Sequence, residues 1–203
     1  MANRDAPFGL RPVKHLNGNP WNGKVRHYYV PATDNTAIFI GDPVTHVGDS
    51  NDSEIYGNPP GSLLEVTRST VGDGNAITGV VVGVVPVTAD SLKYRAASTE
   101  RVLLVCDDPS VVFEIQSDTT GLTADSMGLD AVLIATHAGS TVTGLSGMEL
   151  DTTSDVPAAD SSNQLRIISL AKKQDNALGA WAVAEVYISN HTNAQGNVSI
   201  GIA

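Results

Sequence analysis

Five histidines, one cysteine and a few close-set carboxylates are the side chains here with chemistry to offer. His15, His27, His46, His137 and His191 stand far apart, and none falls in an H-x-x-x-H or similar spacing. Zinc sites in helices and fingers rely on such spacing to bring imidazoles together, so no metal motif is present. Cys106 sits in the apolar run "RVLLVCDDP". A lone cysteine excludes an intrachain disulfide and a cysteine zinc site, and its surroundings suit a buried strand thiol better than a nucleophile. The strings "GDSND" (48–52) and "GDGN" (72–75) hold oxygen donors. They lack the calcium loop that ends in a chelating glutamate, and Asp-Gly pairs are ordinary turn formers.

"GLSGME" (144–149) looks like a nucleophile elbow only in part. The G-x-S-x-G pattern needs glycine at position 148, which is Met148, so the sharp strand-to-helix turn is not encoded. The chain has neither a G-x-x-x-x-G-K-S/T nor a G-x-G-x-x-G phosphate loop. Asp107 and Asp108 precede Pro109, with Glu114 beyond, and read first as a turn between strands. No acid, base and nucleophile come together, which points to a protein that is not an enzyme, takes no cofactor and works by its surface.

The elements that would position any surface site are strands. Nineteen glycines and ten prolines among 203 residues, with only 17% charged residues, favour short strands and many turns. "TAIFIGDPVTHV" reads as strand, tight turn and strand, "LLEVTRST" as a strand, and "AITGVVVGVVPVTA" as a long strand whose Gly79 and Gly83 mark a bulge or barrel corner. "RVLLVCDD" and "VVFEIQSD" flank "DPS" as a hairpin or connection. "TADSMGLDAVLIA" holds one helical turn before a strand. "QLRIISLA" and "AWAVAEVYISNH" are two further strands, with Leu165, Ile167, Trp181, Val183, Val186 and Ile188 inward and the pleat broken near Glu185. The polar stretch 139–163 reads as a long exposed loop. The expected fold is all-β, a β-barrel or β-sandwich-like body over residues 31–203.

Residues 1–30 differ from the rest. Pro7, Pro12 and Pro20 bias them away from helix, and Gly9, Gly18 and Gly23 permit tight turns, so they read as an extended N-terminal arm. They carry five Lys/Arg (Arg4, Arg11, Lys14, Lys24, Arg26) against one acid, Asp5, a net +4. With −10 overall, −14 is left on the body. That acidity argues against nucleic acid as a partner, because phosphate binding is driven by excess Lys and Arg. No apolar run approaches the roughly 20 residues of a membrane helix, and "MANRDAPFG" lacks a signal-peptide core, so a soluble protein made in the cytoplasm is expected. Phe8, Leu10, Val13, Leu16 and Trp21 are costly to leave in water and bury either on their own chain or on a partner. The apolar tail Val198–Ile202 is expected to add an edge strand to a neighbour or to fold back.

An ordered series of segments carries a resemblance: "APFGLRPVKHLNG", "YYVPATDNTAIFIGDPV", "ITGVVVGVV", "DDPSVVFEIQ", "GLSGMELD" and "LRIISLAKKQDNALGAWAVAEVYISNH". From Ala6 to His191 the chain resembles small virion proteins of tailed bacteriophages, the capsid decoration (cement) proteins encoded near the major capsid protein. The resemblance implies a barrel- or sandwich-like body on the outside of an icosahedral head, commonly a homotrimer, bridging capsomers of the major capsid protein and stabilising the shell. It also implies a terminal segment that contacts the shell, here through Phe8, Leu10, Arg11, Val13, Leu16 and Trp21. A head-fibre or tail-associated host- or glycan-binding protein, and a tail tube or head-completion protein, are the alternative readings.

Overall fold

The computed structural model describes residues 3–194. Their regular structure is nearly all strand: β1 (Arg11–His15), β2 (Arg26–Val30), β3 (Pro43–Ser50), β4 (Leu64–Arg68), β5 (Gly79–Val84), β6 (Arg101–Cys106), β7 (Val111–Gln116), β8 (Asp130–Ala131), β9 (Leu133–Ile134), β10 (Glu149–Leu150), β11 (Leu165–Leu170) and β12 (Val183–Ile188), with one 3-10 turn at Ala124–Ser126. Five strands close a barrel in the order β2-β4-β3-β5-β6. Five more form a sheet in the order β1-β7-β12-β11-β8, and β9 pairs with β10.

The barrel and the sheet share a wall, and this explains the unbroken apolar runs of β5 and β6. Side chains alternate along a strand, so Val81 and Val105 enter the barrel core with Tyr28, Val30, Ile38, Val44, Val66 and Leu103. Their neighbours Val80 and Cys106 face the other way, into the sheet core with Phe113, Ile115, Leu165 and Val186. A strand buried on both faces needs apolar residues at every position. The register slips between Val81 and Gly83, as the interior glycines predict. At Gly79 a Cβ would lie 2.5 Å from the Cys106 carbonyl oxygen, so no larger residue fits the wall there.

The "DDPS" turn carries the chain from barrel to sheet. It is a connection and not a hairpin, since β6 and β7 lie in different sheets. Asp108 shapes it, accepting hydrogen bonds from the Ser110 amide at 2.8 Å and the Ser110 hydroxyl at 2.6 Å. β11 and β12 pair antiparallel, and the register shift falls between Ile167 and Ser169, opposite Val186 and Glu185. The irregularity is therefore on β11, and β12 keeps its pleat. Its buried residues are Ala182, Ala184, Val186 and Ile188, while Trp181 and Val183 are only partly buried. Small alanines at 182 and 184 hide this alternation from a reading that weighs large side chains.

Two further expectations change. The stretch 139–163 is not one exposed loop: Ser146–Thr152 is buried, and Glu149–Leu150 forms β10 against Leu133–Ile134. Within the expected arm 1–30, the described residues 3–30 are not set apart from the body. β1 pairs with β7 from Arg11↔Glu114 to His15↔Val111, and β2 is a barrel stave between β4 and β6. The apolar tail at 198–202 lies outside the described residues.

Leu10 ties the N-terminal segment down. It is 2% exposed and belongs to the sheet core. Leu10→Ala is expected to cost about 2–5 kcal/mol of stability, the range for emptying a well-packed core site, as read from urea denaturation midpoints.

Candidate partner-binding groove

Beside Leu10 the chain encloses an apolar groove of about 500 Å³. Its floor is the shared wall at Val81, Val82 and Leu104, and its sides are Phe8, Arg11, Pro12 and Trp21 with Gly23 and Val25. Ile40, Gly41 and Leu145 close the remaining edge. Arg11 is the one charged residue among those lining it.

Three chain segments are pinned together at that edge. The Leu10 amide donates to the Gly41 carbonyl at 2.9 Å, the Ile40 amide to Gly144, and the Ser146 amide back to Ile40. The approach is so close that a Cβ on Gly9 would lie 2.5 Å from the Gly41 carbonyl oxygen, and Gly9 has a left-handed φ of 71°. Asp42 holds the turn from below. It accepts the Phe39 amide at 2.8 Å and the Ser146 hydroxyl, and burial keeps its carboxyl above the ordinary range despite both bonds.

Of the six residues expected to make contacts, the structure brings Phe8, Leu10, Arg11 and Trp21 to the groove. Phe8 is half-buried, with the Arg11 guanidinium 4.6 Å above its ring and the Lys173 ammonium at 5.9 Å. Both cations bond Glu114, at 2.7 and 2.6 Å. Burial raises the Glu114 pKa, and these two hydrogen bonds outweigh it and hold the carboxyl below its ordinary range. Glu114 faces Glu185 across β7 and β12, and Lys14 neutralises Glu185 at 2.7 Å. Trp21 packs on the sheet core, with its indole N–H buried. Val13 accepts the Trp21 amide through its carbonyl but does not line the groove, and Leu16 is 52% exposed at the turn after β1.

The groups that chemistry might have used are occupied otherwise. Burial pushes the Cys106 thiol up to about 12, so no thiolate forms at neutral pH. His15, Ser110 and Asp108 lie together, but the Ser110 hydroxyl bonds Asp108 at 2.6 Å and the histidine faces both through Nδ1. A relay needs one imidazole nitrogen for the serine and the other for the carboxylate, so this is a turn and not a triad. His137 Nδ1 pairs with the buried Glu149 at 2.9 Å. Among the described residues no three His, Cys, Asp or Glu side chains are grouped to hold a metal ion.

Sequence reasoning missed Arg95. It is fully buried and donates to the carbonyls of Pro31, Asp34, Thr36 and Thr99, pinning the loops at one end of the barrel. Nothing in "SLKYRAAS" marks that arginine apart from its proximity to apolar neighbours. Ile40, Val82, Leu104 and Leu145 were also unmarked as groove residues, because they come together only when barrel and sheet meet.

Compared with protein families, with curated proteins and with solved structures, the chain matches none.

His191 supplies a pH test of the junction between barrel and sheet. It is fully buried beside Ile77, with which it forms a parallel bridge. Burial lowers its pKa from 6.5 to about 4; Asp107 and Asp108 pull it upward and His46 adds to the lowering. The folded state thus prefers the neutral ring. Its contribution to stability is complete above pH 6.5 and is lost as pH falls toward 4. His191→Gln is expected to lessen the decline in stability between those limits, measured by denaturant unfolding across the pH series.

Proposed function

We propose that this is a structural protein of a tailed-phage virion, decorating the outside of the head and bridging subunits of the major capsid protein. The observation that carries the reading is the groove, where Phe8, Arg11 and Trp21, three of the six residues expected to meet the shell, line one apolar surface on the barrel wall, while Leu10 beneath them fills the chain's own core. The resemblance along Ala6–His191 supplies the identity of the partner. An apolar cleft on β-structure suits a protein that acts by binding, and a copy that binds only the expanded lattice stabilises that lattice by linkage. Many copies on one shell make a modest single contact sufficient. A homotrimer would place three grooves around one axis.

The fold decides how this is tested. Removing residues 1–30 deletes β1 and opens the barrel at β2, so loss of binding would report loss of structure. A surface change is cleaner. Leu145 is 38% exposed on the groove edge. The wild-type chain is expected to cosediment with expanded heads and not with unassembled capsid subunits. Leu145→Asp should weaken head binding at least about tenfold, since it places a charge against a desolvated contact, while circular dichroism stays unchanged. Failure of the wild-type chain to bind heads, with hits in a glycan screen, would favour the host-binding alternative.

A further inference from the structure

One arginine of the barrel stands apart from the others. Val44 points into the barrel core, and Arg68, the last residue of β4, is its cross-strand neighbour and so lies on the same face, at the end of the barrel. The other strand arginines are engaged: Arg11 by Glu114, Arg26 by Asp107, Arg166 by Asp130 and Arg101 by the Glu100 carbonyl. Among the described residues the half-buried Arg68 guanidinium makes no hydrogen bond and no ion pair, in a chain with 22 acids against 12 Lys and Arg. Its charge reaches the buried Asp42 carboxyl only through space, because the Phe39 amide and the Ser146 hydroxyl take the Asp42 oxygens and burial favours the neutral acid.

Arg68 lines a pocket of about 290 Å³, near the lower size for ligand clefts and in a barrel mouth, where such clefts often form. Thr36, Ser69 and Thr70 give it a polar side, Val71 and Met148 an apolar one, and no carboxylate lines it. The Thr36 and Thr70 hydroxyls make no hydrogen bond among the described residues, and the Ser69 hydroxyl makes only two long ones, at 3.3 Å, to the carbonyls of Thr70 and Ala76. A guanidinium fork is thus accompanied by hydroxyls from the loop before β3 and from the residues after β4, all donors in want of an acceptor. A planar carboxylate would give both its oxygens to the fork, whereas a tetrahedral oxyanion keeps a third for the hydroxyls. We propose that the pocket binds a phosphate-type tetrahedral oxyanion, held by Arg68 with Thr36 and Thr70. The site is separate from the apolar groove and does not depend on what the groove binds.

The experiment titrates the full chain by calorimetry, in a buffer free of phosphate and sulfate, with orthophosphate, phenyl phosphate and benzoate. Saturable binding of a phosphate is expected, with benzoate at least about tenfold weaker than phenyl phosphate. Phenyl phosphate binding more tightly than orthophosphate identifies an ester as the ligand, its organic part against Val71 and Met148; equal binding identifies the free ion, and either supports the site. Arg68→Gln is expected to weaken phenyl phosphate binding at least about tenfold and Thr36→Val severalfold, since each removes donors to a charged acceptor, while Lys24→Gln, exposed and outside the pocket, binds as the wild type does. Circular dichroism checks that each variant is folded. If Arg68→Gln does not fold, Arg68→Lys replaces it, keeping the charge and losing the fork, and is expected to bind more weakly than the wild type. No saturable phosphate binding by the wild-type chain, benzoate binding as tightly as phenyl phosphate, or folded variants at positions 68 and 36 that bind as the wild type does would each overturn the proposal.

Discussion

The structure depends on one close crossing, where Gly9 passes over Gly41. Three segments distant in sequence meet there: residues 8–10, the turn at 39–42, and 144–148. Backbone touches backbone, so both positions are glycine, and a Cβ on Gly41 would lie 2.5 Å from the Phe8 carbonyl oxygen. The Gly41 amide donates to Val81 and the Val81 amide to Asp42, so the same crossing is bonded to β5 of the shared wall. Asp42 completes it with a carboxylate fully taken from solvent, a cost accepted because two donors and the Ser146 hydroxyl's own amide contact from Met148 hold the turn in one shape.

From that crossing the rest follows. Leu10 is directed into the sheet core, which sets the position of β1 against β7. Phe8 and Arg11 are then left on the surface on either side of it, and the cation–ring stack and the bonds to Glu114 fix their side chains. Gly41 and Leu145 form the opposite bank. The groove is therefore not a gap between loosely packed parts. It is bounded by the barrel wall, the pinned turn and a strand hydrogen-bonded into the sheet, and such a preformed cleft loses little conformational freedom when a partner enters.

Much of the fold could be read from the sequence because alternation and turn residues act locally. The glycine-marked irregularity in β5, the single helical turn near Ala124 and the paired strands β11 and β12 all come from short-range pattern. What escaped was decided by distant partners. The prolines of residues 1–30 report that the backbone is extended, and an extended strand looks the same whether it is free or paired with β7. The Ser/Thr-rich stretch 139–163 looks exposed by composition, yet the Thr152 hydroxyl donates to Asp118 and accepts the Gly121 amide, and the Ser146 hydroxyl donates to Asp42, so its middle, Ser146–Thr152, can be buried. Of the groove, Phe8 and Trp21 could be marked by their type, whereas Val82 and Leu104 could not, because their side chains come beside that segment only when barrel and sheet meet.

The central claim is that residues 8–25 are folded onto their own chain, where the proposed function has them build the surface that meets the shell. A near-atomic reconstruction of the virion tests it most directly. The account predicts density in which β1 lies beside β7 of the same chain, Leu10 fills that chain's core and the groove between Trp21 and Leu145 faces the capsid lattice. Density showing residues 8–25 detached from β7 and laid over a neighbouring subunit, with the groove open to solvent, would contradict it.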